Sequence, residues 1–187
     1  LGDMKLMSGV SVIGLIASLV GIVMGPYLAN RFGKKKVYLT AVIISTALNL
    51  LRLLDVTSMI LIYISALIGG VAGGWMVPVN TSIQADNTTY VQYKTGKRAE
   101  AAIASLTSFV SKVAQGLGGA IPGYVIAAYG FVTGASVQPE SINTGIILCA
   151  LILPLIFGIL GLLIFGTQYT LDQKAVIEMD AKINRNN

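Results

Sequence analysis

Residues 7–36 read "MSGVSVIGLIASLVGIVMGPYLANRFGKKK", an uncharged and mostly apolar run followed at once by one arginine and three lysines. The uncharged part is long enough to cross a bilayer as a helix, which takes about 20 residues. Lysine and arginine concentrate in the cytoplasmic segments of membrane proteins. This stretch therefore predicts a membrane-spanning helix that ends at the cytoplasmic surface.

The whole chain has the composition of a membrane protein. Of its 187 residues 55% are apolar and only 11% are charged, whereas a soluble domain carries about 25% charged residues. The chain has no histidine, which excludes His-based zinc sites, catalytic triads and proton shuttles, and its one cysteine, Cys149, cannot form an internal disulfide. The net charge of +5 lies in short segments between apolar runs, which is typical of membrane topology rather than of nucleic-acid binding. We therefore expect no nucleic-acid partner, no cofactor and a lipid bilayer around the chain.

Five apolar runs predict an all-α membrane protein with five transmembrane helices. We expect one transmembrane unit at residues 1–167, followed by a polar cytoplasmic tail at 168–187 with a short amphipathic turn or two. The predicted spans cover about residues 7–30, 37–54, 57–83, 101–131 and 143–167.

The basic residues predict the orientation of these spans. Ten of the 13 lysines and arginines follow the first, third and fifth spans, whereas the connections after the second and fourth spans offer at most Arg52. The positive-inside rule then places the start of the chain outside and its C-terminus in the cytoplasm, in a plasma membrane that we expect to be a bacterial inner membrane. The ten residues are Arg31, Lys34, Lys35, Lys36, Lys94, Lys97, Arg98, Lys174, Lys182 and Arg185.

Two spans carry stripes of small residues at helical spacing. Span one has such a stripe in Ser11, Gly14, Ser18, Gly21 and Gly25. In span three the small residues Gly70, Gly73 and Gly74 precede the polar residues Asn80, Thr81 and Gln84. Such faces allow close helix packing, and they would equally allow helices to slide past one another. Both interpretations stay open.

Lys112 is an isolated charge inside the fourth span. It follows Arg98 by 14 positions, or about 20 Å of helix, which puts it near mid-bilayer. An ammonium there costs on the order of 3 kcal/mol. Lys112 could snorkel to the interface, but Ser108 and Gln115 on the same face favour a wet cavity. No span contains an acidic residue, so a partner would be water, substrate or protein outside this sequence. The predicted substrate-cavity residues are Lys112, Ser108, Gln115, Asn80, Thr81 and Gln84.

The segment "GPYLANRFGKKK" (residues 25–36) resembles the loop motif of the major facilitator superfamily, Gly-x-x-x-Asp-Arg-x-Gly-Arg/Lys. In that motif the acid and the arginine brace neighbouring helix ends. Asn30 stands at the acidic position here and Arg31 at the basic one. Asparagine can still cap a helix, but it removes the charge pair.

The segment "QADNTTYVQYKTGKRAE" (residues 84–100) is the most specific motif of the chain. It resembles the signature of the glycoside–pentoside–hexuronide cation symporters, the melibiose-carrier-like family, which is roughly Ala-Asp-x-x-Asp-Tyr-x-Glu-x-Lys-Thr-Gly-x-Arg. Thr89 and Gln92 replace two acids of that pattern. The resemblance implies a cytoplasmic gating loop whose charged contacts, with Asp86 and Arg98 remaining here, join the two halves of a transporter. The matching residues are Asp86, Tyr90, Lys94, Thr95, Gly96 and Arg98.

The resemblance covers nearly the whole chain and implies helices 8–12 of a twelve-helix major facilitator fold. By it, the chain is the C-terminal part of a cation-coupled symporter that takes up sugars or glycosides by alternating access. The N-terminal half of the same polypeptide would then be missing, and with it the site for the coupling cation, Na⁺ or H⁺. Lys112 would correspond to a lysine of helix eleven that faces the central cavity.

Two alternatives remain beside the sugar symporter. One is a related carrier for a non-sugar solute such as a lysolipid, and the compact connections favour sugar over this. The other is a membrane structural subunit without transport, against which the Lys112 stripe and the 84–100 motif argue. An enzyme is not expected, because no nucleophile–base pair and no intramembrane carboxylate pair is visible.

Overall fold

The computed structural model describes residues 4–135 and 137–185. Within those ranges the regular secondary structure is helical, with no strand. A π-helical turn at Leu148–Ile152 joins the fifth and sixth helices into one helical segment. The seven helices are α1 (Met4–Phe32), α2 (Lys34–Leu54), α3 (Met59–Thr95), α4 (Glu100–Ala128), α5 (Ser141–Ile147), α6 (Leu153–Gln168) and α7 (Gln173–Arg185).

Four helical segments of the described chain are long and apolar enough to cross a membrane. They are Ser8–Phe32, Lys34–Leu54, Met59–Thr95 and Ser141–Gln168. The all-α membrane fold is thereby confirmed. The fourth predicted span corresponds to α4, which is 29 residues long, like α1. It is not among the four, because residues such as Lys112 and Gln115 interrupt its apolar run.

The first two spans are joined by a single residue, Gly33, between the end of α1 and the start of α2. Gly33 has φ 89°, a left-handed conformation that glycine adopts without a Cβ penalty. Asn30 and Arg31, which the sequence motif placed in a gating loop, therefore lie in the last turn of α1. That loop assignment is corrected: the motif forms a helix end and a one-residue hinge.

The predicted loop at 84–100 is also corrected, because α3 continues through most of it. The helix runs to Thr95 and ends at Gly96, whose φ is 68° and whose N–H donates to the carbonyl of Gln92 at 2.8 Å. The residues from 84 to 95 include neither glycine nor proline, so nothing in them stops the helix earlier. Asp86, Tyr90 and Lys94 are helical, and the connection to α4 is residues 96–99.

The two glycine stripes pack against each other, which confirms their interpretation as a close helix–helix contact. A Cβ on Gly74 would overlap the carbonyl oxygen of Ser18, and one on Gly70 would lie 2.7 Å from the carbonyl oxygen of Gly14. Only glycine allows the backbones of α1 and α3 to approach this closely. The contact holds these two helices together as the centre of the bundle.

The α-helical hydrogen-bond pattern of the last span is interrupted next to Pro154. Pro154 has no N–H and its ring would collide with the carbonyl four residues earlier, and the π-helical turn Leu148–Ile152 lies directly before it. Insertion of one residue into the helical ladder relieves such a collision. Leu151, inside this turn, is 1% exposed, so the widened turn is packed against the bundle.

The polar tail forms a helix rather than isolated turns. Helix α7 has apolar residues on one face and lies along the extension of α3. The Lys182 ammonium is 5.7 Å from the ring centroid of Tyr93, a cation–π contact between the two helices.

Candidate functional site

The ends of α1 and α6 and the starts of α2 and α7 meet beside the second half of α3, at one end of the bundle that is here called the basic end. A small apolar cluster fills it, with tilted contact between the rings of Tyr38 and Phe165 at 4.4 Å. The buried members are Ala29, Val37, Val79, Ile83 and Tyr169. Four different helices or their ends therefore share one core next to the charged residues.

Lys34 and Asp86 form an ion pair in the wall of this cluster. The Lys34 Nζ lies 2.7 Å from both Oδ1 and Oδ2 of Asp86. The Asp86 side chain is 8% exposed and the Lys34 side chain 18% exposed. The pair joins the first turn of α2 to α3, and a buried carboxylate of this kind depends on its partner for stability.

Tyr169, the residue directly after α6, makes a further contact with the Asp86 carboxylate. Its hydroxyl donates to Asp86 Oδ2 at 3.4 Å, and its ring stacks on Phe165 at 4.8 Å. Burial of the phenol raises the pKa of Tyr169 from 10.0 to about 12, and the negative charge of Asp86 and the hydrogen bond to it act in the same direction. The phenol is therefore a neutral donor to Asp86.

The sequence identified Asp86 but did not give it a partner within this chain. Arg98 borders a polar cleft of about 370 Å³ whose walls include Glu100 and Asp180. Lys34 and Tyr169 were missed as site residues. Lys34 stood in the basic run only as a topology marker, and the sequence analysis gave Tyr169 no role.

The other predicted gating residues lie at the basic end and contact neighbours on their own helices. The Arg31 guanidinium donates to the Tyr27 hydroxyl at 3.2 Å, one turn earlier on α1. The Lys94 ammonium is 5.9 Å from the ring centroid of Tyr90, one turn earlier on α3. These contacts are local, and Asn30 is exposed beside them.

The six predicted cavity residues lie on open surfaces of α3 and α4. Asn80 and Thr81 are exposed and Gln84 is half-buried on α3, and the Thr81 hydroxyl donates to the Val77 carbonyl at 3.2 Å. Ser108, Lys112 and Gln115 are exposed on α4.

Lys112 lies in the least packed part of the bundle. Every residue of α4 from 111 to 121 is exposed. Its ammonium has no hydrogen-bond or ion-pair partner within residues 4–135 and 137–185. The stripe is thus an unpartnered polar helix face in a protein whose other long helices are predominantly apolar. No group of three metal-ligating side chains occurs among the described residues either.

Taken together, apolar spanning helices, a glycine-packed centre and a charged end define a polytopic α-helical membrane protein. The family profile described as "MFS/sugar transport protein" matches residues 1–173. The chain belongs to this family of the major facilitator superfamily, which confirms the resemblance to the glycoside–pentoside–hexuronide symporters. The family is one of membrane transport proteins rather than enzymes.

Individual relatives agree with the family. A glucuronide carrier protein homolog of Escherichia coli (strain K12) is 30% identical over 91% of this chain and 39% of its own length. An uncharacterized symporter of Bacillus subtilis (strain 168) is 32% identical over 96% of the chain and 39% of its own length. An isoprimeverose transporter of Lactiplantibacillus pentosus is 27% identical over 71% of the chain and 28% of its own length. The chain thus spans about two fifths or less of the length of these relatives.

Proposed function

We propose that this chain is the C-terminal part of a cation-coupled secondary active transporter that moves sugars or glycosides by alternating access. The observation that carries the proposal is the position of Lys112. It is a single unpartnered ammonium on a polar stripe of a predicted spanning helix, in a member of a sugar transport family. A charge at that depth is retained where it faces water, substrate or another polar group.

The open faces of α3 and α4 support a shared cavity. Asn80 and Gln84 on α3 and Ser108 and Gln115 on α4 supply amide and hydroxyl groups, which bind sugar hydroxyls by hydrogen bonds. The relatives include proteins named for a glucuronide and for isoprimeverose. We infer a polar, hydroxyl-rich substrate. Protein outside this chain completes the other side of the cavity and also holds the coupling cation, Na⁺ or H⁺.

The charge distribution supports the orientation inferred from sequence. The basic end contains Lys34–Lys36, the segment from Lys94 to Arg98 and helix α7. Under the positive-inside rule this end faces the cytoplasm of a bacterial inner membrane. In that orientation the Lys34–Asp86 pair lies at the cytoplasmic mouth of the proposed cavity and holds α2 against α3 while the two halves move.

Uptake by the complete polypeptide that contains this chain tests the proposal. We expect Lys112→Ala to lower the initial uptake rate about 10- to 100-fold, the equivalent of one lost hydrogen bond to a charged group, while leaving membrane insertion unchanged. Val110→Ala is the matched control, because Val110 is an exposed residue of the same helix. A radiolabelled sugar panel in vesicles, with sodium and proton gradients imposed separately, gives the readout.

Unchanged uptake kinetics in Lys112→Ala would reject the cavity role of the lysine. Equal uptake with and without either gradient would reject cation coupling, whatever the behaviour of Lys112. The substrate panel identifies the sugar class independently of both outcomes.

A further inference from the structure

Two clefts at the basic end share a boundary. One is an apolar groove of about 390 Å³ on the side of the bundle, lined by Met24, Leu28, Val37 and Trp75 among others. The second is a cleft of about 200 Å³ at the end of the bundle, and its lining includes Lys34, Lys35 and Lys36. Phe32 and Lys36 line both clefts. The apolar groove therefore lies directly beside a cluster of lysine ammonium groups.

The groove is open to the surface of the bundle along α1 and the start of α2. Met24 and Phe32 are 40% and 54% exposed. They are eight positions apart on α1, so the groove reaches about 12 Å along the helix away from the lysines. Its other wall is the first two turns of α2, at Val37 and Thr40. A hydrocarbon chain fits such an apolar lining, and the surrounding lipid provides one.

The charge of the end cleft favours an anion. Lys34 is neutralised by Asp86. Asp172 also lines the cleft, so its three lysines outnumber its two aspartates by one. Lys35 and Lys36 have ammonium groups without a hydrogen-bond or ion-pair partner in the described part of the chain. Basic pockets beside transmembrane helices bind the phosphate headgroups of anionic lipids.

We propose that these two clefts form one binding site for an anionic phospholipid, with its phosphate between Lys35 and Lys36 and one acyl chain in the groove beside Trp75. Lys36 lies at the junction, where a headgroup and an acyl chain meet. The site is separate from the polar stripe of Lys112, and it does not depend on which solute is transported.

Trp75 provides a direct reporter, because it lines the groove and is the one tryptophan of this chain. The complete polypeptide is placed in phosphatidylcholine nanodiscs that contain a small fraction of phosphatidylglycerol with brominated acyl chains. Bromine quenches indole fluorescence on contact, and subtraction of the Trp75→Phe variant isolates the Trp75 signal. We expect brominated phosphatidylglycerol to quench Trp75 at a much lower mole fraction than brominated phosphatidylcholine.

Two variants separate the headgroup from the acyl chain. Each lysine beside an anionic headgroup contributes about fivefold to binding, so Lys35→Gln with Lys36→Gln should raise the half-quenching fraction of phosphatidylglycerol by about 25-fold. Thr40→Trp should fill the groove and, in native mass spectrometry, remove bound phosphatidylglycerol without changing the binding of inorganic phosphate. The matched control is Lys97→Gln with Arg185→Gln, which removes the same charge from exposed positions outside both clefts.

Four results would overturn the proposal. They are equal quenching by the two brominated lipids, an equal loss in the Lys97/Arg185 control, retained phosphatidylglycerol binding in the Thr40→Trp variant, and displacement of the lipid by inorganic phosphate at equal concentration. None of them bears on uptake by the Lys112 variants, so failure here is distinguishable from failure of the proposed transport function.

Discussion

The Lys34 ammonium lies 2.7 Å from both carboxylate oxygens of Asp86, across 52 positions of sequence. The pair links the first turn of α2 to α3, and Tyr169 brings the end of α6 to the same carboxylate. Three spanning segments are therefore tied at one buried aspartate. The basic end is held by this contact and by the apolar cluster beneath it.

Loss of the Asp86 charge should destabilise the protein. We expect Asp86→Asn to lower the free energy of unfolding by about 3 kcal/mol, because it leaves the Lys34 ammonium partly buried without its counter-charge. Lys34→Met should cost a similar amount, since it leaves the carboxylate unpaired. The measurement is denaturant unfolding of the complete polypeptide in detergent micelles.

A double-mutant cycle separates the pair from other effects of the substitutions. Lys34→Met combined with Asp86→Asn should cost clearly less than the sum of the two single changes, because no uncompensated charge remains. Asp180→Asn is the control: this exposed aspartate accepts a hydrogen bond from Asn184 at 3.5 Å, and we expect an effect within about 0.5 kcal/mol. Additive single changes, or an Asp86→Asn effect equal to the control, would show that the ion pair is not coupled.

The contact between α1 and α3 should be sensitive to one methyl group. Gly74→Ala would place a Cβ on the carbonyl oxygen of Ser18, so the helices must separate and we expect a loss of about 2 kcal/mol. Gly73→Ala is the neighbouring control, because a Cβ there meets no atom of the described chain within 4 Å. Unfolding midpoints of the two variants compare them directly, and equal midpoints would contradict the close-packed interface.

Tyr169 should titrate late and only in the folded protein. Its pKa of about 12 lies above the ordinary 10.0, so folding favours the neutral phenol. The resulting stabilisation is fully present below pH 10 and is lost as the pH rises from 10 to 12. Ultraviolet absorbance titration of the phenols should show one late step that Tyr169→Phe removes.

The exposed Tyr124, which is 79% accessible, provides the control for that titration. Tyr124→Phe should leave the late step in place. Replacement of Asp86 by asparagine should lower the pKa of Tyr169, since it removes the negative charge next to the phenol. A Tyr169→Phe variant that loses absorbance near pH 10 instead would show an unburied phenol.

Much of the architecture could be predicted from the amino-acid sequence alone. Apolar runs, a low charge content and basic segments at alternate connections report how each stretch partitions between bilayer and water, which is a local property. The glycine stripe from Gly14 to Gly25 likewise predicted a close helix contact, because helical spacing places small residues on one face. The helix boundaries were less predictable: α3 ran on to Gly96 since the polar residues after Gln84 contain no helix breaker.

The sequence by itself thus determined a membrane-spanning helical member of a sugar transport family and singled out Lys112 and Asp86. Only the tertiary structure decided that Asp86 pairs with Lys34 and that Tyr169 joins them. Hydropathy and spacing depend on neighbours along the chain, whereas the partner of a buried charge depends on which helix faces it. That choice follows from the packing of α1 on α3 and from the single-residue turn at Gly33, which together bring Lys34 to Asp86.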